Sequence, residues 1–140
     1  MPSLSIAVLP FADLSAEKDQ RYLCDGLAAE LITALSCIEG LRVAPRSSSF
    51  RFRAVDDAQE AGRQLGVSAV LEGSVGKADG RLRVRAKLTS TDDGFELWSN
   101  TFDRPLEDVF AIQHEIAERI THALELRLDQ KSIFTSSRVR

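Results

Sequence analysis

Between Val67 and Arg104, three strand-forming segments are punctuated by two Asp-Gly pairs, Asp79-Gly80 and Asp93-Gly94. No other tract constrains the fold as much. Asp-Gly suits the positive backbone angles of tight hairpin turns, so the tract predicts an antiparallel meander. Its middle segment, Arg81 to Thr89, alternates strictly. Successive side chains of a strand point to opposite faces. That places Leu82, Val84, Ala86 and Leu88 on an apolar face and Arg81, Arg83, Arg85 and Lys87 on a basic one. If the next strand pairs in the meander, Glu96, Trp98 and Asn100 share the basic face. Cations interleaved with an aromatic are the ingredients of a single-stranded nucleic-acid platform. They also suit a solvated or protein-binding sheet face on which Glu96 and Trp98 partner the arginines. The second reading is preferred, because 18 Lys and Arg against 21 Asp and Glu give a formal charge of −3 and the chain has one tryptophan. No global field draws it to nucleic acid.

Upstream of the meander, Leu4 to Leu9 is a short, mostly apolar run stopped by Pro10, which predicts a strand covered on both faces. From Gln20 to Ile38, Leu23, Leu27, Leu31, Ala34, Leu35 and Ile38 recur at helical spacing, and Gly40 suits the left-handed position beyond a helix end. A brief strand, Leu41 to Ala44, precedes Pro45. Arg46 to Val55 is irregular and reads as loop with a little strand. Asp56 is the expected cap of a second helix that runs to Leu65 and ends at Gly66. After the meander, Leu106 to Leu128 is the longest helix, with Val109, Ile112, Ile116, Ile120 and Leu124 along one side. Strands separated by helices favour parallel pairing and tight turns favour antiparallel pairing. The expected fold is therefore α/β (α+β), a mixed sheet of about five strands with three helices in the order β-α-β-α-β-β-β-α. Residues 1–128 form the domain in this reading, and 129–140 a flexible tail.

The 140 residues suffice for one domain that folds without staples. Cys24 and Cys37 fall in one helix, where their separation rises about 20 Å, beyond the reach of a disulfide. No stretch approaches the roughly 18 apolar residues of a membrane span, and the start lacks the regions of a signal peptide. As written the chain reads as cytoplasmic, with a periplasmic setting open to a membrane-anchored parent. Its abrupt entry into a strand leaves open that it is cut from a larger protein.

The layout and particular runs resemble the TolB-like amino-terminal domain family. The runs are Ile6-Ala-Val-Leu-Pro-Phe11, Asp25-Gly-Leu27, Glu30-Leu-Ile-Thr-Ala-Leu35, Leu65-Gly-Val67, Leu71-Glu-Gly-Ser-Val75, Leu97-Trp98 and Asp103-Arg104. The resemblance covers Ser5 to about Leu128. It implies a TolB amino-terminal-like αβ module, non-catalytic, found beside class III nucleotide cyclase, winged-helix or protein kinase domains and before tetratricopeptide repeats. It thus implies a sensory or protein-interaction role in a bacterial regulator, with no cofactor. Partners would be other proteins or adjoining domains, with a homodimer through a sheet edge possible. Pro105 departs from the family pattern and is expected to sharpen the start of the last helix.

Three further constellations carry polar or titratable side chains. Arg46, Ser47 and Ser48 offer a guanidinium and hydroxyls for an anion or a partner at the sheet edge. The structural alternative pairs Arg46 with a carboxylate such as Asp25 while Phe50 and Phe52 pack beneath. His114, Glu118 and His122 are neighbours along the last helix, but the histidines lie roughly 12 Å apart along the axis, too far to share an ion. Asp25-Gly26 predicts a kink, a late helix start or a close approach to another backbone in the first helix. Neither histidine sits in a recognisable catalytic motif, so no residue is assigned to catalysis or to a metal.

Overall fold

The computed structural model describes residues 4–53 and 57–139, with side chains described through residue 126. The elements are β1 (Leu4–Val8), β2 (Ala12–Asp13), α1 (Arg21–Leu35), β3 (Leu41–Val43), α2 (Arg46–Ser49), α3 (Ala58–Leu65), β4 (Ala69–Ala78), β5 (Arg81–Ser90), β6 (Glu96–Pro105) and α4 (Val109–Val139). The sheet runs β3-β1-β4-β5-β6, with the short β2 paired to β4 beyond the end of β1. β1 is parallel to β3 and β4, whereas β4, β5 and β6 form the antiparallel meander. The fold is thus α+β with a mixed sheet of six strands and four helices, and the expected class holds. β2 and α2 are the additions: elements of two and four residues leave no periodicity to read.

Asp79 and Gly80 adopt the two consecutive positive φ angles, 54° and 70°, that the β4–β5 turn demands. In front of the sheet, α1 contributes Leu23, Leu27, Leu31 and Leu35 and α4 contributes Ile112, Ile116, Ile120 and Leu124. They meet Ile6, Val8, Leu71, Leu82, Val84, Ala86 and Leu88 in one buried cluster. Behind it, a smaller cluster sets Ala61 of α3 against Ala7, Leu9 and Val70. Since Val70 pairs with Thr89, the face that α3 covers is the face that carries the basic residues of β5. α3 covers the back of β1 and the start of β4 and reaches the Thr91 end of β5, and the rest of the meander behind is left open.

Several ends differ from the sequence reading. The α3 cap is Asp57, whose carboxylate accepts from the Glu60 amide at 3.2 Å; Asp56 lies outside the described residues. Gly66 ends α3 at φ 71° as expected. α1 stops at Leu35, and Cys37 and Ile38 continue as a tight turn before Gly40, which is left-handed at φ 86°. Gly26 lies inside α1, so the helix does not start late, and what stands closest to it is the Gln113 side chain of α4 instead of another backbone. Pro105 ends β6 opposite Arg81 instead of opening a helix, because an edge strand needs no outward N–H there. Asp108 accepts from the Ala111 amide at 3.2 Å, and α4 begins at Val109. Its helical backbone continues past Leu128 to Val139.

Candidate interaction surface

β5 presents Arg81, Arg83, Arg85 and Lys87 outward from the back of the sheet while its alternate residues are buried in the front core. Their cross-strand neighbours on β4 are Ala78, Gly76, Ser74 and Glu72. On β6 they are Pro105, Asp103, Thr101 and Ser99. All eight are small, hydroxylated or acidic, so the guanidiniums stand above a low surface. Asp103 receives Arg81 Nε at 2.7 Å and Arg83 Nη2 at 3.3 Å. The Arg81 hydrogen bond, with help from Arg83, holds the Asp103 carboxyl below the usual range. Lys87 reaches Glu72 at 3.9 Å. Arg85, between Ser74 and Thr101, has no ion-pair partner among the described residues. At the hairpin end of the stripe, Lys77, Arg81, Arg83 and Asp103 border an open depression of about 410 Å³ together with Leu14, which is 62% exposed.

Trp98 is not on this surface. It pairs with Leu88, and Asn100 pairs with Ala86, so both occupy the front-face register; Trp98 packs against the core. The cause is a bulge: Leu88 faces Trp98 but Thr89 faces Glu96, and the extra residue reverses alternation across that point. Only Glu96 of the expected three keeps the register of the basic face. Along the paired strands that face carries no aromatic side chain.

Part of the free edge of β6 is already occupied. Asn100 Oδ1 accepts from the Thr101 amide at 2.8 Å, Arg104 Nη1 donates to the Asp103 carbonyl at 2.9 Å, and Pro105 has no N–H. The Arg104 guanidinium also grips Glu115 of α4 at 2.9 and 3.0 Å.

The second candidate edge is rearranged. Arg46 lies over the Phe50 ring at 4.9 Å and does not reach Asp25. Arg53 takes Asp25 instead, in a two-pronged contact of 2.9 and 2.8 Å, and this guanidinium holds the Asp25 carboxyl below its usual range. Phe50 packs on the front core and Phe52 on the rear cluster, so the segment wraps the β3 edge. Ser47 is exposed. Ser48 lines a cavity of about 290 Å³ together with Arg42 and Arg51, two residues the sequence reading did not select.

His114 Nδ1 stands 2.8 Å from Glu30 of α1 and its Nε2 3.5 Å from Glu118. Gln113 Nε2 donates to the same Glu30 at 3.0 Å. The histidine therefore ties α4 to α1. Among the described residues no three His, Cys, Asp or Glu are grouped to hold a metal, and no helix is long and apolar enough to cross a membrane.

A sheet with two helices in front and a half-covered back defines an αβ module of the TolB- and LpoB-like kind. The fold resembles lipoprotein GNA1162 from Neisseria meningitidis, with TM-score 0.59 and 20% identity over 88% of this chain and 99% of that one. It likewise resembles TolB from Acinetobacter baumannii, with TM-score 0.59 and 16% identity over 89% of this chain and 29% of that one. The chain belongs to the family of the HilA/YgeH-like transcriptional regulator second domain, whose pattern matches residues 2–119. It is also 43% identical over 125 residues to the Rhizobium meliloti (strain 1021) protein named "Putative adenylate cyclase 3". That match covers 89% of this chain and about a fifth, 21%, of the relative.

Proposed function

We propose that the chain is a non-catalytic sensory or interaction module of a bacterial signalling protein, of the TolB-like amino-terminal kind that accompanies cyclase, winged-helix or tetratricopeptide segments. Residues 1–128 form the module and 129–140 a tail outside it. The bare back of the meander is the surface it presents to an adjoining domain or a protein partner. The observation that carries this reading is the asymmetry of the sheet: α1 and α4 seal one face, whereas the other holds a row of four cations with three carboxylates, Asp103 and Glu72 beside them and Glu96 beyond, with Arg85 unpaired among the described residues and Leu14 exposed at one end. The match to a regulator-domain family and to a longer cyclase-named relative supports it. The face, not the edge of β6, is the contact, because two of that edge's outward groups, the Thr101 amide and the Asp103 carbonyl, are engaged within the chain and Pro105 has no N–H to offer. A homodimer through β6 is correspondingly disfavoured.

Nucleic acid is the weaker reading, since the displacement of Trp98 removes the stacking element that single-strand binding requires. Titration calorimetry of the module against the remaining segment of a parent protein tests the proposal. Arg85→Glu with Lys87→Glu should weaken binding at least about tenfold, while Arg63→Glu on α3 leaves it unchanged. Equal affinity for all three proteins overturns the assignment. Tight binding to a mixed single-stranded oligonucleotide that falls steeply between 50 and 200 mM salt moves it to nucleic acid.

A further inference from the structure

Most arginines of this chain with described side chains are neutralised locally. Arg21 and Arg53 meet Asp25, Arg63 meets Glu60, Arg81 and Arg83 meet Asp103, and Arg104 and Arg119 meet Glu115. Besides Arg85, the arginines with no carboxylate partner among the described residues are Arg42, Arg46 and Arg51, and these three gather where β3 runs into α2. Two of them, Arg42 and Arg51, border the same cavity of about 290 Å³, and among the described residues no aspartate or glutamate lines it. In a chain whose acids outnumber its bases, a concave site with two guanidiniums and no carboxylate among the described residues is an electrostatic exception.

The topology explains how it arises. β3 alternates: Leu41 and Val43 pack toward the front core, so Arg42 between them points behind the sheet. It pairs in register with Ser5 of β1, which also lines the cavity. α2 and the turn that follows it close one side with Ser48 and Arg51, and the end of α3 closes the other with Gln64 and Gly66. The C-terminal end of a helix carries about half a negative charge, which opposes an anion. Here the Gly62 and Arg63 carbonyls are already taken by the amides of Val67 and Gly66, and two full positive charges outweigh the remainder.

From this geometry we infer that the cavity between β3, α2 and the end of α3 is a ligand site for a compact phosphomonoester, its phosphate held by Arg42 and Arg51 with the Ser48 hydroxyl and the Gln64 amide as further donors. The two guanidinium forks suit a group that offers several oxygens on one centre. The volume sits at the small end of ligand pockets, which fits a phosphorylated small molecule and leaves no room for a dinucleotide. The site lies at the β3 edge, away from the meander surface, so the module carries a small-molecule input separate from its protein-binding face.

Calorimetry and thermal unfolding with inorganic phosphate and with glucose 6-phosphate test this on the full chain. Both should bind, and at ten times Kd the midpoint should rise by about 5 °C. Arg42→Gln with Arg51→Gln should cost at least about tenfold in affinity while its ligand-free midpoint shows that it is folded. Arg85→Gln, the unpaired arginine of the other surface, should bind as the parent does. No binding by the parent, or binding undiminished in the double variant, overturns the inference, as does an equal response to sodium chloride at matched ionic strength. Succinate binding as tightly as phosphate overturns the phosphomonoester assignment.

Discussion

Gly73 sits where the first segment of the chain changes partners on β4. β1 pairs with Ala69 to Leu71 and β2 with Ser74 and Val75, and in the gap Phe11 folds its ring onto the Gly73 backbone. A Cβ added at Gly73 would fall on the carbonyl oxygen of Arg85 and 2.6 Å from Phe11 Cε2. Overpacking a core costs about 1–3 kcal/mol when side chains can shift. A backbone carbonyl inside a ten-residue ladder cannot rotate away, so Gly73→Ala should cost about 3 kcal/mol, the top of that range. With a urea m-value of about 2 kcal/mol/M, the midpoint falls by about 1.5 M. Trp98, the only tryptophan and half-buried against the core, reports unfolding by its fluorescence. A double-mutant cycle separates the two obstacles. Phe11→Leu removes the ring contact but leaves the carbonyl, so Gly73→Ala should cost nearly as much in that background, within about 0.5 kcal/mol. A loss below about 1 kcal/mol in the parent refutes the close approach, and rescue by Phe11→Leu assigns the obstacle to the ring.

The two cysteines should separate cleanly. Burial pushes the Cys24 thiol up to about 12, whereas Cys37 is exposed; one equivalent of a thiol reagent should react quickly, all of it at Cys37, and the second only on unfolding. Fast labelling of Cys24 in the native protein would contradict the packing of α1. The Glu30 hydrogen bond, with Glu118 nearby, raises the His114 pKa above its ordinary 6.5. Its bridge to α1 therefore contributes fully below the unfolded value and is lost as pH rises through the folded one. An NMR titration should place the His114 midpoint above 6.5 and Glu30→Gln should lower it; a midpoint insensitive to Glu30 removes the bridge.

Where a pattern extends over several residues and both partners obey it, the sequence already carries the structure. The alternation of β5 sets its buried and basic faces, the leucine spacing of α1 and the isoleucine spacing of α4 set their inner sides, and Asp79-Gly80 sets the turn. What escaped was decided between segments. Counting from Arg81 cannot reveal a bulge opposite Leu88 and Thr89, and that single residue moved Trp98 from the proposed surface into the core. Nothing local tells Asp25 to choose Arg53 over Arg46, since the choice follows from how α2 wraps the β3 edge. The cationic cavity is similarly invisible in order of sequence, because Arg42, Arg51 and Gln64 come from three segments that meet only behind the sheet. The one local hint was Leu41-Arg-Val43, a charged residue between two apolar ones in a short strand.

The side chains that close the margin of β6 bear on how such a domain lives inside a longer polypeptide. A ten-residue strand with free amides and carbonyls is a template for any extended chain passing nearby. By turning Asn100 and Arg104 back on its own backbone, the protein removes two of the hydrogen-bonding groups that such a template offers. An extended segment passing that margin meets fewer free partners there, and the sheet is less easily lengthened by mistake.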